Sequence, residues 1–321
     1  MGAVVATLVV AAVSCAGPPS NTDLVGVPMA YTDFGGAQHQ QVAYVGRNVA
    51  VLVPTGDGES ASTMTAIVGR LDAAWDRYAA LTGRQPDHGF TFDGRATIAV
   101  VEATCGAGCG LLGSTGIELS TDTWHRLYGG VQSANQYDQA VFYEMGRNFW
   151  FLTGRLTAAD NGAYGSAVTT GYAVLNRFVS MDAAGVSGAP FNDWLPFPQF
   201  RSQIAGLVDS YVANPTNTWS TTLAVEAGVP GSGWGATDLF ASFMMRLAQQ
   251  FGSGFYDRMW IEAAKRPVAT NTAGAVDNLV LAASAATGKN LTALFGTTWR
   301  FPVSNAAKAE AQTRWGAPWA P

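Results

Sequence analysis

From Tyr137 onward the apolar residues recur at helical spacing in six successive segments, and strand-like runs are confined to the residues before it. The segments are 137–153, 166–182, 199–212, 236–251, 254–264 and 273–287. A repeat near 3.6 lines one face of a helix, whereas alternation, or a short continuous run of β-branched residues, marks a strand. Strands are predicted at 40–54, where QQVAYVGRNVAVLVP divides at Gly46-Arg47, at 97–104 (TIAVVEAT) and at 116–120 (GIELS). One helix interrupts them: Met64, Ile67, Leu71, Trp75 and Tyr78 share a face within 59–82, and Gly83 stops it. Strands grouped ahead of helices predict an α+β fold, a small mixed sheet with an edge strand followed by a mainly helical C-terminal half. The expected division is a sheet and helix subdomain over 39–135 and a helical subdomain over 136–321.

With 48% apolar and 13% charged residues, the 321-residue chain can bury a full core and is neither disordered nor a coiled coil. A net charge of −5, with 18 scattered basic residues, excludes a nucleic-acid partner. MGAVVATLVVAAVSC (1–15) reads as a signal-peptide h-region whose small residues precede Cys15, the lipidation site of a lipobox-like pattern. No Lys or Arg follows Met1, and a buried N-terminal strand is the alternative. Residues 16–38 then read as a tether, which makes the chain an exported lipoprotein or secreted protein whose contact with a membrane is an N-terminal lipid anchor. In an exported chain, Cys105 and Cys109 within TCGAGCGLLG read as a local disulfide.

The helix QAVFYEMGRNFWFLTG (139–154) matches the zinc pattern H-E-x-x-H only at Glu144. Tyr143 and Arg147 stand where the two imidazoles would share one helix face. The three His residues, His39, His88 and His125, are nowhere four apart, so no histidine-built zinc site is expected, nor any other cofactor. No G-x-S-x-G elbow, phosphate loop or calcium loop occurs.

YEMGRNFWF resembles the motif helix of enhancin-like, mucin-degrading gluzincin metallopeptidases, and GWGATDLFASFMMRLAQQFGSGFYDRMW is similar to their C-terminal helical region. The resemblance implies a cleft in which the motif helix faces an edge strand and substrate lies between them. It also implies a third zinc ligand, a Glu on the following helix. The matching stretch TTGYAVLNRF offers Tyr172, Ala173 and Asn176 and no carboxylate, so the peptidase activity does not carry over.

If GIELS is the edge strand, Glu118 would point across the cleft at Glu144. Two carboxylates there would suit metal-independent hydrolysis of a polysaccharide or cell-wall glycan, with Glu144 as the acid/base. Tyr143, Arg147, Asn148, Tyr172 and Trp124 are the expected substrate contacts. Each has a plainer reading: Glu144 and Arg147 as an i, i+3 ion pair, Glu118 as a solvated edge residue, the aromatics as packing. The alternative function is a non-catalytic surface protein that binds a glycan or peptide in an inactivated cleft. Carboxyl oxygens roughly 5–10 Å apart in an open cleft would favour catalysis, and a Glu144 sealed by Arg147 would favour the alternative.

Overall fold

The computed structural model describes residues 23–158 and 162–320. Cys15 and the expected signal segment lie outside the described residues. The first half contains β1 (Val27–Thr32), β2 (Gln38–Val45), β3 (Val49–Pro54), α1 (Ala61–Thr82), β4 (Thr91–Phe92), β5 (Arg95–Val101), β6 (Gly108–Gly110), β7 (Ile117–Ser120) and α2 (Thr121–Ala134). The second half is helical: α3 (Ala140–Asn148), α4 (Ala163–Ala184), α5 (Phe197–Ala213), α6 (Ala236–Phe251), α7 (Gly254–Ala264), α8 (Thr272–Thr287) and α9 (Asn305–Trp315). The α+β expectation holds. Of the expected tether, residues 16–38, those before 23 lie outside the described residues, and the remainder contributes β1, which pairs with β2 from Val27↔Ala43 to Thr32↔Gln38.

These strands form one mixed sheet in the order β1-β2-β3-β5-β7-β6, with β4 paired to β5 off this path, and a separate short parallel pairing joins Gln136–Tyr137 to Ser187–Gly188. The β3–β5 and β5–β7 pairings are parallel and the others antiparallel. Val49, Val51, Val53, Ile98, Val100, Ile117 and Leu119 face the helices and join the main core. Their alternates Ala50, Leu52, Ala99 and Val101 face a smaller second core with Tyr31 and Ala43. Burial on both faces explains why β3 and β5 read as continuous apolar runs rather than alternating ones.

Helix boundaries follow local chemistry. Ser60 Oγ caps α1 by accepting from the Thr63 N–H, and Gly83 ends it with φ 69°. α2 did not appear in the sequence reading. Ser120 caps its start and Asn135, at φ 53°, ends it. Its apolar face is narrow (Trp124, Leu127, Val131), and Gly129-Gly130 interrupts the pattern.

Candidate functional site

The helix α3 lies across the sheet's end strand, and that end strand is β6, not GIELS. β7, which carries Glu118, pairs with β5 on one side and with β6 on the other. Ser120 N–H donates to Ala107 O and Leu111 N–H to Gly116 O, so residues 107, 109 and 111 point their backbone polar groups at β7. By the antiparallel rule, Gly108 and Gly110 therefore point theirs outward, along the free edge.

α3 takes the outward groups of Gly110. Glu144 Oε2 accepts its N–H at 2.8 Å, and Arg147 Nε donates to its carbonyl at 3.1 Å. Arg147 Nε lies 3.7 Å from the same Glu144 oxygen, which closes a three-membered arrangement. One residue on, Asn148 Nδ2 donates to Leu111 O and Gly116 O at 2.9 and 3.0 Å and clamps the β6–β7 turn. Glycine at 108 and 110 permits this close approach. A Cβ at Gly108 would lie 2.8 Å from Glu144 Cγ, and one at Gly110 2.4 Å from the Glu144 carbonyl oxygen. Gly110→Ala is accordingly expected to cost about 3 kcal/mol, because helix backbone must give way rather than a side-chain tip. Denaturant unfolding would check this, and a loss below about 1 kcal/mol would show that α3 can lift without penalty.

Glu144 is buried at 5% exposure. Burial pushes its carboxyl up to about 7, against the opposing pull of the Arg147 charge and the Gly110 N–H. Tyr143 is raised as well, by burial and then by the Glu144 carboxylate. Its ring lies beside the guanidinium of Arg177, which is buried on α4 and donates to Gln139 Oε1.

The other expected site residues divide from this centre. Glu118 sits between Ile117 and Leu119, both of which face the helices, so its side chain lies on the opposite face of the sheet from α3. There it is buried and accepts from Tyr31 Oη at 3.1 Å, Phe34 N at 2.6 Å and Thr104 Oγ1 at 3.1 Å. The expected carboxylate pair across one cleft is not formed. Tyr172 is fully buried, packed edge-on to Trp150 and Trp260, with its hydroxyl donating to Phe149 O. Trp124 is also buried, its Nε1 donating to Glu59 at 3.3 Å. Neither is open to a ligand. Cys105 and Cys109 are disulfide-bonded with Cα atoms 5.4 Å apart, which ties β6 to the loop before it.

Sequence reasoning missed the polar cavity of about 270 Å³ beside this edge. Ala107 before β6, Arg126 of α2, Asp138 and Gln139 at the start of α3, and the turn Phe191–Asp193 line it. Asp138 bridges two walls: one oxygen accepts the Ala140 N–H at 2.8 Å, the other Arg126 Nε at 3.2 Å. Asn192 and Asp193 both have positive φ, 51° and 64°, in a tight turn closed by the Phe191–Leu195 bridge. Trp194, next along, is 71% exposed. The Asn-Asp pair within PFNDWLPFPQF was the one available signal, since these residues tolerate left-handed backbone.

Tyr143 and Arg147, at the positions that the resemblance gives to zinc ligands, do not fit that ion. A guanidinium cannot donate a lone pair, and Tyr143 offers a phenol whose proton burial retains. Among the described residues, no group of three His, Cys, Asp or Glu side chains is placed to hold a metal.

No protein-family model and no curated protein sequence matches this chain. Solved structures do. A functionally unknown conserved protein of Bacillus anthracis str. Ames superposes with TM-score 0.59 at 10% identity, over 87% of this chain and 52% of that one. The M60 catalytic domain of Clostridium perfringens ZmpC, solved with the sialyl T antigen, gives TM-score 0.51 at 14% identity, over 86% and 49%. The catalytic module of the C. perfringens metalloprotease ZmpA gives 0.52 at 14%, over 85% and 48%. The fold is thus metallopeptidase-like, and the chain spans about half the length of these structures.

Proposed function

We propose that this protein is a non-catalytic relative of the metallopeptidase domains, with a degenerate zinc motif, that binds a glycan beside the closed edge of its sheet. The observation that carries this reading is the occupation of Gly110. A peptidase lays an extended substrate along the edge strand, and here Glu144 and Arg147 already hold the N–H and carbonyl such a substrate would pair with. The adjacent cavity supplies what a sugar needs instead: a guanidinium, carboxylates and amides for hydroxyl groups, with the exposed indole of Trp194 next in sequence to the lining residue Asp193. The ZmpC neighbour holds a sialylated glycan, which supports this ligand class. The disulfide and the N-terminal apolar run support export, with a lipid on Cys15 as the anchor.

One observation favours a second reading, metal-independent glycan hydrolysis. A buried carboxyl held near neutrality, as Glu144 is, suits a general acid. A single experiment separates the two. Sialylated mucin-type, cell-wall and plant glycans are incubated with the protein in EDTA, with binding followed by calorimetry and products by mass spectrometry. The binding reading expects saturable association weakened at least ~10-fold by Trp194→Ala, with no product. Product that vanishes in Glu144→Gln would establish the hydrolase, and neither binding nor product across the panel would remove both readings.

A further inference from the structure

We infer a second ligand site, for a small apolar carboxylate the size of a benzoate ion, in the cavity between the end of α1, the segment after α3, and α7. This cavity, of about 130 Å³, is lined by Thr82, Arg84, Phe149, Phe151, Arg155 and Trp260 among others. It is close in size to an engineered cavity of about 150 Å³ known to accept benzene, so it has room for one six-membered ring.

Apart from the Thr82 hydroxyl, which donates to Tyr78 O and Arg84 O, the polar side-chain groups lining it are donors. Trp260 is 1% exposed, and its Nε1–H has no acceptor among the described residues. Arg155 Nε is likewise buried without an acceptor among the described residues. Arg84 stacks on Phe151, 4.0 Å from the ring centroid, and its one charged partner, Asp87, is exposed at 3.2 Å. Among the described residues, no Asp or Glu lines the cavity. Buried donors without acceptors are uncommon in folded proteins, and two on the lining residues of one cavity, with the Arg84 guanidinium beside them, favour an anionic acceptor. The remaining surface, phenyl and indole rings with Leu152 and Ala264, requires the rest of the ligand to be apolar. The site is held in shape. Asn278 Nδ2 donates to the Arg155 carbonyl at 2.9 Å, and the Trp260 ring packs edge-on to Tyr172 at 4.8 Å.

The test uses benzoate against benzyl alcohol, which keeps the ring and loses the charge. In a ¹H–¹⁵N spectrum the indole Nε1–H of Trp260 is assigned by its disappearance in Trp260→Phe. Benzoate is expected to shift that signal saturably with a Kd below ~1 mM, and benzyl alcohol to bind at least ~10-fold more weakly. Arg155→Gln and, separately, Arg84→Gln are each expected to weaken benzoate at least ~5-fold while leaving benzyl alcohol within ~2-fold, which also reports a folded cavity. Equal affinity for the two probes, or no response of the Trp260 signal to benzoate, would overturn the assignment.

Discussion

Glu118→Ala is expected to lower the stability of this protein by about 4 kcal/mol, although Glu118 lies on the opposite face of the sheet from Glu144. Its carboxylate is the common acceptor for the Tyr31 hydroxyl, the Phe34 N–H and the Thr104 hydroxyl. Two of these donors belong to the β1–β2 hairpin, which is thereby tied onto the outer face of β7. Burial and the Glu118 charge both push the Tyr31 phenol up, so it remains a protonated donor. Truncation would strand these donors beneath the Tyr31–Phe90 and Phe34–Phe90 ring contacts, where water reaches them poorly. Glu118→Gln keeps one acceptor oxygen and turns a donor toward the others, so about half the loss is expected. Guanidinium unfolding would measure both. An alanine variant within ~1 kcal/mol of wild type would show that the hairpin does not depend on this latch.

The second large effect is a pH dependence carried by Glu144. Its carboxyl stands near 7 in the folded protein against an ordinary value of 4.5, so between those values the native state binds more protons than the unfolded chain. Stability must then fall as pH rises across that window. The contribution is fully present below pH 4.5 and gone above about 7, and a shift of that width corresponds to ~3 kcal/mol. Glu144→Gln has no proton to lose and keeps an oxygen for the Gly110 N–H. The stability difference between wild type and variant should therefore move against wild type by ~3 kcal/mol from about pH 4.5 to about pH 8. Parallel curves for the two proteins would mean that the carboxyl ionises in the folded state as easily as in the unfolded chain.

Much of the helical half was legible because its signal is long and repeated. α5, α6 and α8 begin and end within two residues of the predicted spans. α4 starts three residues before its predicted span, α9 has no predicted span, and α3 departs most, ending at Asn148 rather than 153, where the Gly113 N–H donates to the Arg147 carbonyl and the chain turns to pack Phe149 and Trp150. The edge strand was illegible for a physical reason. Gly-Cys-Gly has no side-chain pattern, and its glycines record a close approach to a helix that only tertiary structure supplies. The orientation of Glu118 could have been read. Alternation within Ile-Glu-Leu sets it opposite two core residues, and only the assumption that β7 was the end strand turned it toward Glu144. Trp124 and Tyr172 show the limit of composition, since aromatic side chains suited to sugars are equally suited to a core.

The closure of Gly110 also bears on how copies of this protein can associate. A sheet grows into a fibre by edge-to-edge addition only if both of its ends accept another strand. Here one end is a three-residue strand whose Gly110 groups are spent on α3, while the exposed β1 ends the other. Pairing through β1 alone can join two molecules and must then stop. Glu144 and Arg147 make the sheet one-sided in its valency, and an open-ended polymer is denied its second attachment point.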